Sequence, residues 1–347
     1  MSMPLPADDF ATSGPDAEAF HLSAAWFETW RRAYLVPGTA TSKIGGLPMI
    51  ADRGKLGPIG YARFRAQTNV HSALFDIPVG EPIADGLFDA LRDGRDVVTI
   101  DYVTGQSRLM AAARGWPAHR VAIRPHARSP MADCRMSYQQ WLALRSKRAR
   151  QRWSGLERKA TGEIGMTFEL LDGHTGLQPL LDEIFAVEQS GWKGREGTSI
   201  RDNPSDLFFY TEIARRAAAM GMLRIAVLKR AGRIVAFEYG ILGGDRLFLL
   251  KVGYDEQFAD LSVGHVLAVM HIRHCCGDPA IAWYDNMGNG MTPAAYKLRF
   301  NDVVDTLYRI TLYGDTWRGR LVQHYDAGRD RAKRARDHWR GRSVRTA

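Results

Sequence analysis

The chain has 347 residues, 45% hydrophobic and 24% charged, a make-up that excludes a disordered or fibrous protein. Its formal net charge of +9 is unevenly placed: residues 1–20 hold four acids and no base, 145–159 hold seven bases against Glu157, and 318–347 hold ten bases against three Asp. No apolar run reaches the ~18–20 residues of a membrane span, and three cysteines, Cys134, Cys275 and Cys276, argue against a disulfide framework and for a reducing cytoplasm.

In chain order, residues 1–20 read as a disordered leader without the pattern of a secretory signal, since Pro4, Pro6 and Pro15 interrupt it and no base precedes Arg31. Ser23 is placed to cap a helix on which Trp26, Phe27, Trp30 and Tyr34 recur at helical spacing. Strands are expected at 43–52, 59–67, 97–102 and 121–124, with helices at 82–92 and 106–115 between them. One long helix is expected from Ser137 to Lys159, starting apolar and continuing as the first basic strip. A strand at 166–171 and helices at 177–189 and 204–220 come next. Three successive strands, 223–230, 233–242 and 245–254, follow, the first two joined by a tight turn at Ala231-Gly232. A helix at 262–274, a strand at 281–285, a helix at 293–300 and a strand at 306–312 complete the pattern. Alternating strands and helices predict an α/β (α+β) layered fold, with a boundary near 130–140.

Chemistry concentrates in the second half. The loop 258–264 runs straight into a helix, whose free N–H groups and positive end can hold a pyrophosphate. Gly264 would let backbone approach closely, although a Ser262 cap explains the same residues. The glycine-rich loop 191–197, carrying Trp192 and Lys193, can close over a substrate or serve as a plain surface turn. His271, His274 and Cys275 share a helix face, but no second ligand pair supports a metal site. Met220, Met222, Met270, Met287 and Met291 suit core packing as well as an acyl tunnel. There is no Gly-x-Ser-x-Gly elbow, and Gly288-x-Gly290 lacks the rest of a dinucleotide fingerprint.

Three stretches taken together resemble GNAT-fold acyltransferases of the cellulose-biosynthesis (CelD-like) branch, relatives of the Fem-type transferases. They are 223–255, with Gly232, Ala236, Phe237, Leu249, Lys251, Gly253, Tyr254 and Asp255; Leu261-Ser262-Val263-Gly264; and Asp285-Asn286-Met287-Gly288 followed by Tyr296-Lys297-Leu298-Arg299-Phe300. The resemblance implies two tandem GNAT-like domains, each a mixed central sheet flanked by helices. Residues 21–135 and 136–317 would form them, between the leader 1–20 and a basic tail 318–347. It implies an acyl-CoA donor, bound by Leu261, Ser262, Val263, Gly264 and His265, an amine acceptor near Trp192, Lys193, Lys251 and Tyr254, and no metal. Asp285, Tyr296, Lys297 and Glu188 are the expected catalytic groups: Asp285 as base, Tyr296 as acid, and Lys297 paired with Asp285 or with donor phosphates. The loop departs from the superfamily pattern, keeping a single glycine and placing Asp260 near the anion.

The expected reaction is N-acylation of a primary amine, with a long-chain acyl group and a lipid amine such as a sphingoid base, as in the bacterial ceramide synthases of the family. Alternatives are an acetyltransferase of polysaccharide biosynthesis and a Fem-type transferase using aminoacyl-tRNA; an inactive scaffold of the same fold would carry the same pattern. The two basic strips, expected outside the acyl-transfer site, suit an anionic membrane face, which makes the protein cytoplasmic and peripheral on the inner membrane. The neutral body and the lack of interleaved aromatics in the tail argue against a plain nucleic-acid binder.

Overall fold

Ser23 opens the first long helix: its hydroxyl accepts from the Trp26 N–H, and α1 (Ala24–Tyr34) follows with Trp26 and Trp30 fully buried. This computed structural model describes residues 19–77, 85–92, 94–301 and 303–343. The leader expectation falls outside those residues up to position 18; Phe20, its last residue, is fully buried in a short turn and stacks edge-on against Trp26. The strands of the first half are β1 (Thr41–Ile44), β2 (Leu47–Leu56), β3 (Ile59–Ala66), β4 (Val97–Thr104) and β5 (Val121–Asp133). Helices α2 (Asp85–Arg92) and α3 (Arg108–Arg114) lie between them. Residues 82–84 of the expected second helix lie outside the described residues.

The second half comprises α4 (Tyr138–Ala143), α5 (Lys147–Arg158), β6 (Thr167–Leu171), α6 (Leu177–Ser190), α7 (Trp192–Arg195) and α8 (Pro204–Ala219). Strands β7 (Leu223–Arg230), β8 (Arg233–Gly243) and β9 (Arg246–Tyr254) precede α9 (Val263–Cys275), β10 (Trp283–Asp285) and β11 (Val303–Tyr313). A helix α10 (Trp317–Ser343) takes the place of a basic tail. Among the described residues no helix is long and apolar enough to cross a membrane.

The eleven strands among the described residues join one mixed sheet in the order β1-β2-β3-β4-β11-β5-β10-β9-β8-β7-β6, flanked by helices. The last strand, β11, lies between β4 and β5, antiparallel to both, so the far end of the chain completes the sheet of the first half. The long β5 is the joint between halves, pairing with β11 over most of its length and with β10 at Met131–Asp133. Packed on one face of the second half are α1, α6 and α8, whose Trp26, Phe209, Ile213 and Phe185 share a core with Phe237 and Tyr239. On the opposite face α4, α5 and α9 cover Leu249 and Tyr284, with Trp141 and Trp153 stacked at 5.6 Å. Each fully buried Phe or Leu in these layers contributes about 1.5–3 kcal/mol.

Four expectations are corrected. The strand 43–52 is two strands, because Gly45 and Gly46, at φ 54° and 78°, turn the chain back between β1 and β2. The helix 137–159 breaks after Ala143; Ser146 starts a second helix by accepting from the Ala149 N–H. The strand begun at Val121 continues to Asp133 because β11 and β10 give it partners throughout. The helix 293–300 is only a 3-10 turn at Lys297–Arg299.

Candidate active site

Parallel pairing between β9 and β10 covers only Arg246–Phe248 against Trp283–Asp285. Past that point β8 still pairs with one edge of β9, but among the described residues no strand meets the other edge from Leu249 to Tyr254. A cavity of about 330 Å³ lies beside this open edge. Val252, Gly253 and Tyr254 of β9 form one wall, and Phe237 and Glu238 of β8 lie behind them. Gly253 is required there, since a Cβ would sit 2.5 Å from the Phe237 ring. Opposite stand Gly264, His265 and Leu267 from the first turns of α9, with Tyr296 and Phe300 from the segment after β10. Glu188 of α6 and Trp192 and Lys193 of α7 close the third side.

The polar groups are few and tightly held. Glu188, 3% exposed, accepts from Lys193 Nζ at 2.6 Å and from the Ile200 N–H at 2.8 Å. The same ammonium donates to the Val252 carbonyl at 3.2 Å, tying α7 to the open edge. Glu256 accepts from the Trp192 N–H and, in a two-point pair, from Arg195, so the loop is fastened at both ends. Glu238, 5% exposed, uses Oε2 for both the His271 ring Nδ1 at 2.7 Å and the Tyr284 hydroxyl at 2.9 Å. Its Oε1 has no hydrogen-bond partner among the described residues. Burial, reinforced by the Glu238 charge, raises the Tyr296 phenol above its ordinary value, so it stays protonated at neutral pH. At the mouth, burial and then the charges of Arg299 and Arg152 keep the His265 imidazole below its ordinary value. Arg152 of the α5 basic strip is thus close enough for its charge to reach His265, although no residue of either basic strip lines the cavity itself.

Of the residues singled out from sequence, Glu188, Trp192, Lys193, Tyr254, Gly264, His265 and Tyr296 line this cavity. Asp285 does not. Its carboxylate is 1% exposed, Oδ1 accepting from Ser129 Oγ and the Met287 N–H, Oδ2 from Arg246 Nε at 2.7 Å. Both oxygens face at least one donor, which is the setting of a buried ion pair. Lys297 does not pair with it either: the ammonium donates to the carbonyls of Asn286 and Met287 at 2.7 and 2.8 Å, and burial lowers its pKa. Gly288 presses onto β5 so closely that a Cβ would overlap the Arg128 carbonyl. Lys251 lies on the other face of β9, over the Tyr210 ring and 4.0 Å from Asp206, which also meets His71 and Tyr34. At the start of α9, Val263 is fully buried, Leu261 packs beside it, and Ser262 sits at φ 51° without capping the helix through its side chain. Only Gly264 and His265 of the expected donor loop reach the cavity.

The residue that sequence reasoning missed is Glu238. Its signal was present: it is the one charge in the apolar run from Ile234 to Leu242. Its partner His271 had been weighed as a metal ligand; instead Nδ1 faces Glu238. Among the described residues no three His, Cys, Asp or Glu side chains come together to hold a metal.

Residues 147–298 match the family described as an acetyltransferase (GNAT) domain, a stretch that includes every cavity-lining residue except Phe300. A search of curated protein sequences finds no match. Among solved structures the chain is similar to the C-terminal DUF2156 domain of a protein described as a lysylphosphatidylglycerol synthetase from Agrobacterium fabrum, at 12% identity over 87% of this chain and 90% of that one, TM-score 0.55. It is also similar to FemX, at 12% identity over 85% and 94% with TM-score 0.51. L-PGS from Bacillus licheniformis matches at 14% identity over 85% and 93%, TM-score 0.50. At such identities these likenesses show the fold; the family match supports a GNAT-type acyltransferase domain, and hence a transferase.

Proposed function

We propose that the chain is an N-acyltransferase that moves an acyl group from acyl-CoA to a primary amine in the cavity beside β9. The observation that carries this reading is the open edge of β9 next to the first turn of α9. An edge strand offers N–H and C=O groups in a row, to which the amides of an extended thioester arm can add as another strand would. The donor's phosphates then fall at the α9 N-terminus, between Arg299 and Arg152.

In this reading Glu238 is the base. With Oε2 occupied by His271 and Tyr284, Oε1 takes the proton that the attacking amine must lose. The amine nitrogen bonds to the thioester carbon, the C–S bond breaks, and the Tyr296 phenol protonates the departing thiolate; Glu238 then gives up its proton and the Tyr296 phenolate regains one, both through water. Glu188 and Lys193 position the 191–200 loop over the cavity. Asp285, Arg246 and Ser129 clamp the end of β10 and so fix where it parts from β9. The apolar lining from Phe237, Val252, Leu267 and Phe300 favours a long acyl chain and a lipid amine such as a sphingoid base, the ceramide-synthase-like reading. A cytoplasmic protein held peripherally on an anionic membrane face agrees with that acceptor.

A second reading, transfer from aminoacyl-tRNA, is favoured by Arg152, whose charge reaches His265 and which belongs to the basic α5 strip, where an RNA end would find phosphate partners. The test is to supply purified protein with palmitoyl-CoA, acetyl-CoA or an aminoacyl-tRNA together with sphinganine, and to weigh the products by mass spectrometry. Amide formed from palmitoyl-CoA is expected. Turnover with the aminoacyl-tRNA alone would replace the first reading by the second, and inactivity with all three donors would sink both.

A further inference from the structure

The sheet of the first half carries its main apolar layer on one face. Phe64 of β3, Val98 and Ile100 of β4, and Ile310 and Leu312 of β11 all join the main core. The alternate positions point the other way: beside an apolar end at Val97 and Tyr61 they are polar or charged, Arg63 and Arg65 on β3, Thr99 and Asp101 on β4. Arg309 and Thr311 on β11, with Arg124 and His126 on β5, continue the same layer. A face like this normally looks into water, yet here α10 runs across it. Near its start the helix is anchored by Val322, which packs with Val97 and Tyr313, and further along by Asp326 and Asp330, which accept from Tyr313 and Arg124 of the sheet. Beyond Val322 its inward stripe is Tyr325, Asp326, Arg329, Asp330 and Lys333, and a groove of about 790 Å³ stays open between helix and sheet.

Charges in the groove divide into two sets. On the floor, Arg63 and Arg65 share Asp52, Arg309 pairs with Asp101, and Arg124 pairs with Asp330 and Asp326. These four guanidiniums are matched by four carboxylates and are held in fixed orientations. On the rim, Lys55, Arg329, Lys333 and Arg334 have no carboxylate within ion-pair distance among the described residues. Four cations without an ion-pair partner among the described residues therefore line the groove above a floor of matched charges, and this groove shares no lining residue with the cavity beside β9.

We propose that this groove is a second binding site, for a phosphate group joined to a hydroxyl-rich body. Rim cations take the phosphate, Arg329 in a forked pair and the lysines as point charges. Floor carboxylates and guanidiniums, with the Thr99 and Thr311 hydroxyls, supply the alternating donors and acceptors that a polyol needs. Such a ligand is either a phospholipid headgroup or a free sugar phosphate.

The test measures binding of glycerol 3-phosphate by calorimetry, and of vesicles of phosphatidylglycerol in phosphatidylcholine by co-sedimentation, to the full chain. The same measurements are made on R329E/K333E and on R148E, all exposed positions, the last on the other basic strip. The expected result is that R329E/K333E weakens binding at least about tenfold while R148E does not. Binding of the soluble phosphate identifies a free ligand; binding of vesicles alone identifies a headgroup. The proposal is overturned if neither probe binds, or if R148E weakens binding as much as R329E/K333E. Acyl transfer stays unchanged in R329E/K333E, so failure here is separable from failure of the proposed reaction.

Discussion

The two halves of the one sheet leave different things open. The second half leaves an edge, β9 beyond Phe248, where the recognising groups are backbone N–H and C=O. The first half pairs β4, β11 and β5 side by side and leaves a face, where the recognising groups are side chains. An edge imposes extended shape on a ligand and is indifferent to most substitutions; a face imposes charge pattern and is lost when a few residues change. The edge thus suits a step shared by many acyl donors, and the face suits selective recognition.

The sharpest way to break this comparison is at Glu238. Glu238→Gln should lower kcat by roughly 10²–10⁴-fold with little change in donor affinity, because the base is removed while the edge remains. Steady-state kinetics with donor-binding calorimetry checks it; an unchanged kcat would return the base to another group. Next in size, Arg246→Met leaves Asp285 buried without its cation and should cost about 3–5 kcal/mol in denaturant unfolding. If stability hardly moves, the clamp on β10 is not what fixes the split. Gly288→Ala should cost about 1–3 kcal/mol, since the added methyl meets the Arg128 carbonyl. Tyr296→Phe should slow turnover about tenfold, the smaller effect because a thiolate departs readily even without an acid; a loss as large as that of Glu238→Gln would give Tyr296 the leading role.

Acid should act on the joint between the halves and on the core beside β9. His21, fully buried against Phe248, is pulled down to about 3 by burial and then by the Arg246 charge; His71, against Asp206, falls to about 4, chiefly through burial. Both stay neutral in the fold while the unfolded chain takes up protons near 6.5, so stability is lost as pH falls from about 6.5 toward 4. Thermal melts between pH 7 and pH 5 should show a falling Tm, and imidazole NMR should find both rings neutral at pH 5. A ring that titrates near 6.5 in the folded protein would remove it from this account.

What could be read from the sequence was what neighbouring residues determine. The Ser23 cap, the Ala231-Gly232 turn and the run of three strands depend on a few residues each, and the structure has them. The break after Ala143 was also local, marked by Ser146, but strong helix formers on both sides hid it. Asp285 shows the opposite case. Its motif was visible, but its partners Arg246 and Ser129 lie 39 and 156 positions away, and they hold its carboxylate in an ion pair and a hydrogen bond that the motif alone does not show. Glu238 was legible in principle, as a charge inside an apolar strand; its free oxygen could be seen only once His271 and Tyr284 were in place.

The position of β11 sets a timetable for synthesis. Strands β4 and β5 cannot be joined until the residues from Val303 to Tyr313 have emerged, about 170 positions after β5 ends. At ~5–20 residues per second that is roughly 10–30 s in which two strand edges of the first half stand unpaired beside a growing second half. A nascent chain of this topology needs its own later sequence, or a chaperone in the interval, to keep those edges from other polypeptides; a late segment decides when an early one is finished.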